Sequence, residues 1–260
     1  MTEAVKTRTE GAVLEVTLDR PRANAIDAET SRELGRVFAE FSDDPGLRVA
    51  IFTGAGERFF SAGWDLRAAA EGEEFEADYG VGGFGGFTEL PERNKPVICA
   101  VNGLAVGGGF EIALAAELVV VADHAEFFLP ETGLGFIPDA GAVRLPRILP
   151  PVVANEVLYA GRHLTAAEAM RWGLVNAVIP AEELMGVARD LAAKVVSAAP
   201  LSVEAVMAIA RSTGHLALQE AFELMRSGGL EAYERMLASD DSDEGPRAFT
   251  EQRDPVWKGR

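Results

Sequence analysis

The sequence lacks the residues and segments on which several classes of protein depend. Its 260 residues include one cysteine, Cys99, so no disulfide can form within the chain, and a reducing compartment, the cytoplasm by default, is expected. The chain opens MTEAVKTRTEGAVLEV, without the apolar stretch of a secretory signal, and no apolar run is long enough to span a bilayer. The three histidines lie neither at metal-ligand spacing nor beside a candidate nucleophile. We therefore expect no membrane span, no disulfide and no metal.

Positive charge is also scarce. Lys and Arg number 24 against 41 Asp and Glu, which gives a formal net charge of −17 at pH 7. Because nucleic-acid binding requires clustered cations that neutralise phosphates, this balance argues against a nucleic-acid partner. A few local cations can still serve a small anionic ligand. The remaining composition, 48% hydrophobic and 25% charged, fits a globular protein that buries its own core.

Strand and helix patterns alternate along the first two thirds of the chain, which predicts an α/β fold. After Pro180 the pattern is only helical. The sequence predicts a core of residues 1–195 and a C-terminal helical region of residues 196–260. The segment 71–86, rich in Gly and acidic residues, is expected to be a mobile loop or a loosely formed helix. Strands are predicted at 12–18, 49–52, 96–101 and 118–122, and helices at 27–41, 110–116, 182–199, 202–212 and 216–237.

Two turns rich in small residues could let a ligand approach the backbone closely. Residues 61–66 (SAGWDL) follow a strand, although Asp65 would also fit an ordinary helix cap. Residues 107–111 (GGGFE) precede a helix, whose exposed N–H groups and positive dipole end favour a negatively charged oxygen. Glu111 falls in the first helical turn, where the dipole alone would also favour an acid. The turn lacks the spacing of dinucleotide-binding and phosphate-loop motifs.

A third segment carries a second acid. Residues 130–141 (PETGLGFIPDAG) place Glu131 between a proline and an apolar loop rich in Gly and Pro, where burial would raise its pKa. A turn acid that faces solvent is equally consistent with this pattern. No Gly-x-Ser-x-Gly elbow is present. If the protein is an enzyme, its acid–base groups are therefore expected to be carboxylates.

Taken in order, these segments resemble the enoyl-CoA hydratase/isomerase (crotonase) superfamily. The resemblance covers the whole chain and rests on the ordered set rather than on any one motif. One departure is that residues 141–144 (GAVR) are one residue shorter than the family's Gly-Gly stretch, with Ala142 where a second Gly is usual. The matching residues are DRP (19–21), ANA (23–25), FSAGWDL (60–66), KPV (95–97), VNG (101–103), GGGFE (107–111), PE (130–131), GFIP (135–138), AAEA (166–169) and WGLV (172–175).

The resemblance implies a fold, an activity and an assembly. The implied fold is an α/β spiral of β-β-α repeats, of the ClpP/crotonase type, with a C-terminal helical trimerisation region. The implied assembly is a homotrimer or a hexamer made of two trimers. The implied activity is reversible hydration of a short-chain enoyl-CoA, in which the acyl-CoA is the substrate and no cofactor is needed.

The resemblance also implies site residues. Glu111 and Glu131 match the two catalytic carboxylates, and Ala62 and Gly108 match the two backbone N–H donors of the oxyanion hole. The segments that surround CoA in the family are matched by Arg22, Ala23, Ala25, Gly63, Asp65 and Leu66.

Within the family, the resemblance is closest to the members that interconvert carnitinyl-CoA and crotonobetainyl-CoA. It rests on residues 23–27, 53–60, 68–73 and 253–260. A trimethylammonium group accepts and donates no hydrogen bond, so its pocket requires aromatic faces and carboxylates. The candidates, each of which would also fit a packing or loop role, are Trp64, Tyr79, Phe84, Phe87 and Asp139.

Two other readings remain open from the sequence. The first is a general short-chain 2-enoyl-CoA hydratase of fatty-acid oxidation, which would use the same two glutamates. The second is a non-catalytic relative that binds CoA or RNA. The acidic charge argues against RNA, and the retained acids argue against a scaffold without activity.

Overall fold

The computed structural model describes residues 4–91 and 93–260. The chain forms two compact units, the first of which ends at Ala192, while the second comprises Ala193–Arg260. The strands lie in the first unit: β1 Val5–Glu10, β2 Val13–Leu18, β3 Val49–Gly54, β4 Phe59–Ser61, β5 Val97–Val101, β6 Leu104–Val106, β7 Leu118–Ala122, β8 Glu126–Phe128, β9 Leu164–Thr165 and β10 Ala177–Ile179.

Helices follow most of the strands of the first unit, and further helices form the second unit. Asp27 caps α1, because its side chain accepts a hydrogen bond from the backbone N–H of Thr30. The helices are α1 Ala28–Asp43, α2 Leu66–Ala70, α3 Gly108–Ala115, α4 Glu131–Leu134, α5 Asp139–Ile148, α6 Pro151–Ala160, α7 Ala166–Arg171, α8 Leu184–Ser197, α9 Pro200–Thr213, α10 Leu218–Arg226, α11 Glu231–Leu237 and α12 Asp240–Glu251.

The strands build two sheets. The larger has the order β1-β2-β3-β5-β7-β10, with β1 antiparallel to β2 and the other neighbours parallel. The smaller has the order β4-β6-β8-β9, in which β4, β6 and β8 are parallel and β9 is antiparallel. Every residue of β3 and β5 is buried, as expected of parallel strands covered on both faces. The predicted α/β class is confirmed.

The two sheets bring the candidate segments together. Since β4, β6 and β8 run parallel, their carboxyl ends lie at one edge of the smaller sheet. The chain continues from these three ends into residues 62–66, 107–111 and 129–131 respectively. The site described below is therefore assembled at a single sheet edge.

The predicted strands within 12–18, 49–52, 96–101 and 118–122 are present, and the predicted helix at 216–237 is wrong. This segment forms two helices, α10 and α11, because Ser227-Gly228-Gly229 interrupts it and Gly228 has a φ of +76°, which lies in the left-handed region. Strands β1, β4, β6, β8, β9 and β10 were not predicted, since most are too short to show a period.

In the second unit, the last residues of the chain are bound to α12. The buried carboxylate of Asp241 accepts hydrogen bonds from the backbone N–H groups of Lys258 and Gly259, at 2.7 and 2.9 Å. Arg253 pairs with Glu244 at 2.6 Å. The pattern at 253–260 thus has a structural use, which is to hold the C-terminal segment.

Of the helices in the described part of the chain, none is by itself long and apolar enough to cross a membrane. One pair of consecutive helices, 181–196 and 200–213, reaches that length and composition when the two are taken together.

Candidate active site

Residues 20–27 lie beside residues 61–66, so the segments predicted to surround CoA are neighbours. Ile26 pairs with Trp64 in an isolated parallel bridge. The guanidinium of Arg20 bonds the carboxylates of both Asp27 and Asp65 and thereby ties the two segments together. Asn24, buried and with a φ of +52°, donates to the carbonyl oxygens of residues 55, 59 and 60.

The predicted CoA-binding residues are thus brought together, with different exposures. The side chains of Arg22 and Leu66 are exposed, whereas Ala23, Ala25 and Asp65 are half-buried and Gly63 is buried. The carboxylate of Asp65 also accepts a hydrogen bond from the backbone N–H of Arg67 and caps α2, so the capping role considered from the sequence is present.

The backbone of Gly63 lies directly against the start of α3. Gly63 has a φ of +75°, and a Cβ atom there would lie 2.7 Å from the backbone nitrogen of Gly108. Gly108 is the first residue of α3, so its N–H has no acceptor within the helix and lies at the positive end of the helix dipole. The peptide that joins Gly63 to Trp64 is therefore next to an N–H group that has no acceptor within α3.

The prediction that Ala62 supplies an oxyanion-hole donor is wrong for this structure. The backbone N–H of Ala62 already donates to the carbonyl oxygen of Ala23 at 2.9 Å. In the bridge between the two segments, the backbone N–H of Ile26 donates to the carbonyl oxygen of Gly63 at 2.8 Å. The backbone N–H of Asp65 donates to the carbonyl oxygen of Ile26 at 2.9 Å. Among the described residues, the N–H of Trp64 has no such acceptor, and Trp64 lines the pocket.

Glu111 is a buried acid on the first turn of α3. Only 5% of the residue is exposed, and its Oε1 accepts a hydrogen bond of 2.8 Å from the backbone N–H of Gly141. Burial raises the pKa of Glu111 to about 8, and the nearby charges of Asp139 and Glu131 raise it further, against the lowering effect of the Gly141 bond. The shortened stretch at 141–144 therefore still supplies a glycine N–H to this carboxyl group.

Glu131 begins α4 across the pocket from α3. A Cβ atom on Gly107 would collide with Oε1 of Glu131, so the glycine turn and this carboxyl group are in direct proximity. Its Oε2 is buried without a hydrogen-bond partner among the described residues. Burial raises the pKa of Glu131 to about 7, with a further increase from the charge of Asp139.

Three aromatic rings form a cluster at the pocket. The indole of Trp64 meets the rings of Phe75 and Phe136 edge to face, both at 5.6 Å between centroids, and these two phenylalanines stack at 5.5 Å. The indole N–H donates to Glu73 Oε1 at 2.8 Å, and Glu73 Oε2 accepts from the backbone N–H of Ala28 at 3.0 Å. Glu73 thus links the Trp64 ring to the start of α1.

Of the acyl-pocket candidates, Trp64, Tyr79, Phe84 and Asp139 line the pocket. Phe87 does not, and this prediction is wrong. Its ring is 1% exposed and packs in the core, with ring centroids 4.5 Å from Phe38 and 5.9 Å from Phe52. Its apolar side chain is accommodated by the interior rather than by a ligand surface.

The pocket itself has a volume of about 150 Å³ and an acidic, aromatic lining. None of the lining residues in the described part of the chain is Lys or Arg. Within residues 4–91 and 93–260, no group of His, Cys, Asp and Glu is arranged to hold a metal ion. The lining comprises Ala62, Trp64, Leu66, Phe75, Tyr79, Phe84, Val106, Gly107, Gly108, Glu111, Pro130, Glu131, Leu134, Phe136, Ile137 and Asp139.

Comparison with known protein families identifies the family to which this chain belongs. The model of the enoyl-CoA hydratase/isomerase family matches residues 8–260. The chain belongs to this family. The resemblance drawn from the sequence is thereby confirmed, as is the prediction of an enzyme of this class.

Individual relatives of the family agree over their full lengths. The chain is 58% identical to the carnitinyl-CoA dehydratases of Proteus mirabilis and Escherichia coli, over 100% of each chain. Among solved structures, it is similar to the enoyl-CoA hydratase of Mycobacterium tuberculosis, with a TM-score of 0.90 and 35% identity over 99% of both chains. The enoyl-CoA hydratase of Bacillus anthracis also gives a TM-score of 0.90, at 33% identity over 99% of this chain and 100% of the other. The predicted crotonase fold is confirmed.

Several residues of the site were not found from the sequence. Phe75, Phe136 and Glu73 lie in loops whose course no periodic pattern predicts. The sequence did contain one usable signal, since Phe136 is part of the GFIP motif, Glu73 ends the recognised segment 68–73, and Phe75 lies two residues further on. The stretch 141–144 was noted only as a departure from the family pattern, although the backbone N–H of Gly141 donates a hydrogen bond to Glu111.

Proposed function

We propose that the protein catalyses the reversible dehydration of carnitinyl-CoA to crotonobetainyl-CoA. The observation that carries this proposal is the presence in one pocket of two glutamates with raised pKa values beside the backbone N–H groups of Trp64 and Gly108, for which the described residues offer no backbone acceptor. The 58% identity with carnitinyl-CoA dehydratases over whole chains supports the choice of acyl group.

The oxyanion hole in this proposal consists of the backbone N–H groups of Trp64 and Gly108. Removal of a proton from the carbon next to a thioester places negative charge on the carbonyl oxygen. Two fixed donors at that oxygen stabilise the enolate, each by about 3–4 kcal/mol in comparable sites. The positive end of α3 adds to this effect.

Glu111 and Glu131 act as the acid–base pair. With pKa values near 8 and 7, the pair holds a proton at neutral pH and can also accept one. In the hydration direction, the ionised carboxylate takes a proton from water as the water oxygen bonds to Cβ. The protonated carboxyl group delivers its proton to Cα, and dehydration reverses both transfers.

The remaining assignments follow the same proposal. Residues 22–25 and 63–66 bind the CoA portion, and the acyl-CoA is the only small molecule that the reaction needs. The core of residues 1–195 contains the site. The helical region of residues 196–260 forms the subunit contacts of a homotrimer or a hexamer. The lone buried thiol of Cys99 is compatible with a cytoplasmic location of the protein. Sedimentation velocity of the purified protein tests the assembly.

A comparison of acyl groups tests the function. The purified protein is assayed with crotonobetainyl-CoA, crotonyl-CoA and longer 2-enoyl-CoAs, and the hydrated products are separated by chromatography. We expect the highest kcat/KM with crotonobetainyl-CoA. A higher value with crotonyl-CoA would instead assign the protein as a general short-chain 2-enoyl-CoA hydratase; the solved neighbours are named enoyl-CoA hydratases.

A further inference from the structure

The aromatic cluster is built to present ring faces rather than to fill the core. All three rings line the pocket and are partly exposed: Phe136 is 39% exposed, and Trp64 and Phe75 are half-buried. The Trp64 indole is held by Glu73, so its orientation is fixed. Buried aromatic packing alone would not leave three large rings partly exposed at one pocket.

Negative charge surrounds these rings. Asp139 lies in the pocket lining together with Glu111 and Glu131, while Glu73 sits at the edge of the indole. Burial, together with the charges of Glu73, Asp139 and Glu76, raises the pKa of Tyr79 to about 12, so its hydroxyl stays neutral. With no lining cation among the described residues, a positively charged acyl group would be the natural counterpart of this pocket.

The position of Trp64 adds a length constraint. In a crotonobetainyl or carnitinyl chain, the ammonium nitrogen is four bonds from the thioester carbon, or about 5 Å along an extended chain. The Trp64 ring is separated from its own backbone N–H only by Cα and Cβ. If the thioester oxygen of the substrate is bound at that N–H, the ammonium group at the other end of the acyl chain is therefore within reach of the Trp64 ring.

We propose that Trp64, Phe75 and Phe136 form an aromatic wall that binds the quaternary ammonium group of the acyl chain, with Asp139 supplying the facing negative charge. Glu73 is the positioning residue of this wall. The inference rests on the proposed function, since that function supplies the trimethylammonium group. It identifies the residues that distinguish a cationic acyl group from a neutral one of the same shape.

A pair of matched ligands separates charge from shape. One is 4-(trimethylammonio)butanoyl-CoA, and the other is 5,5-dimethylhexanoyl-CoA, in which a carbon replaces the nitrogen. Both are saturated, so they cannot be hydrated, and their Kd values are measured by calorimetry on the full-length protein. We expect the wild type to bind the cation at least ~10-fold more tightly, from cation–π and charge contributions together.

Variants then assign the preference to the wall. Phe75→Leu, Phe136→Leu and Asp139→Asn should each reduce the ratio of the two Kd values about 3- to 10-fold, chiefly by weakening binding of the cation. Phe59→Leu is the matched control for the rings, because Phe59 lies under Arg58 at 5.2 Å and does not line the pocket. Asp123→Asn is the control for charge, and both controls should keep the wild-type ratio.

The outcomes separate this inference from the proposed function. A wild-type ratio near one, or variants that weaken both ligands equally, would overturn the aromatic wall even if crotonobetainyl-CoA is turned over. A large ratio that the variants abolish would support the wall even if crotonobetainyl-CoA is not a substrate. Since Phe136 and Asp139 are exposed, their variants are expected to fold and to decide the matter if Phe75→Leu does not.

Discussion

The backbone N–H of Gly141 donates a hydrogen bond of 2.8 Å to Oε1 of Glu111 and holds this buried carboxyl group in place. The bond joins the start of α5 to the first turn of α3, two elements far apart in the chain. A catalytic acid in a dry pocket loses rate when it is misplaced by as little as an ångström. The glycine at 141 is therefore expected to matter for rate.

Replacement of this glycine tests its role. A Cβ atom at position 141 would lie 2.9 Å from Cδ1 of Leu129 and 3.3 Å from Oε1 of Glu111, so Gly141→Ala should displace the carboxyl group. We expect kcat to fall about 10-fold or more with a smaller change in KM. Gly133→Ala is the control, because a Cβ atom there meets nothing within 4 Å. Equal kinetics for the two variants would contradict this role.

Removal of either proposed catalytic carboxylate should nearly abolish turnover. Glu111→Gln and Glu131→Gln keep the size of the side chain but can no longer exchange a proton, so each should lower kcat at least ~100-fold. Steady-state hydration of the preferred enoyl-CoA measures this effect. The exposed Glu74→Gln serves as a control with wild-type rates. Near-normal turnover in either site variant would remove that glutamate from the mechanism.

The raised pKa of Glu111 also predicts how stability depends on pH. The carboxyl group ionises near 4.5 in the unfolded chain and near 8 in the folded protein. Between these values the folded state holds a proton that the unfolded state has released, so the free energy of unfolding falls as pH rises. Glu111→Gln removes this loss and should be more stable than the wild type at pH 8, by roughly 4 kcal/mol.

Urea unfolding of both proteins at pH 5 and pH 8, at one protein concentration, measures this difference. The advantage of the Gln variant should be small at pH 5, where both proteins carry an uncharged group at this position. A stability difference that does not change between the two pH values would contradict the burial of an ionisable group.

The Gly63→Ala variant tests the proposal that the backbone N–H groups of Trp64 and Gly108 form the oxyanion hole. A Cβ atom on Gly63 would lie 2.7 Å from the Gly108 nitrogen and from the Val106 oxygen, so Gly63→Ala should separate the two donors. We expect kcat to fall at least ~100-fold. Gly56 also has a positive φ, of +84°, but a Cβ atom there has open space. If Gly56→Ala lowered kcat as much, strain in the left-handed region rather than donor geometry would be responsible.

The sequence predicted the elements that have long apolar runs and the motifs that build the site. Strands β3, β5 and β7 are buried on both faces, so their apolar residues are contiguous and easily recognised. Glu111 was found because it follows a glycine-rich turn ahead of a helix, and Glu131 because it follows a proline beside an apolar loop.

The errors at Ala62 and Phe87 have separate physical causes. Consecutive peptide groups in an extended segment face opposite sides, so a motif does not reveal which N–H is bonded and which is free. The partner of Ala62, the carbonyl oxygen of Ala23, is brought to it only by tertiary structure. Phe84 and Phe87 are equally apolar in sequence, and only the turn between them decides that one faces the pocket and the other the core.

The bond between Glu73 and the Trp64 indole has a consequence for how acyl preference can change. Glu73, Phe75, Tyr79 and Phe84 all lie in one contiguous segment between α2 and β5, whereas both proposed catalytic glutamates lie elsewhere in the chain. We expect an exchange of that segment between homologues to change Glu73 and Phe75, and with them the recognition of the acyl terminus, while leaving Glu111 and Glu131 unchanged.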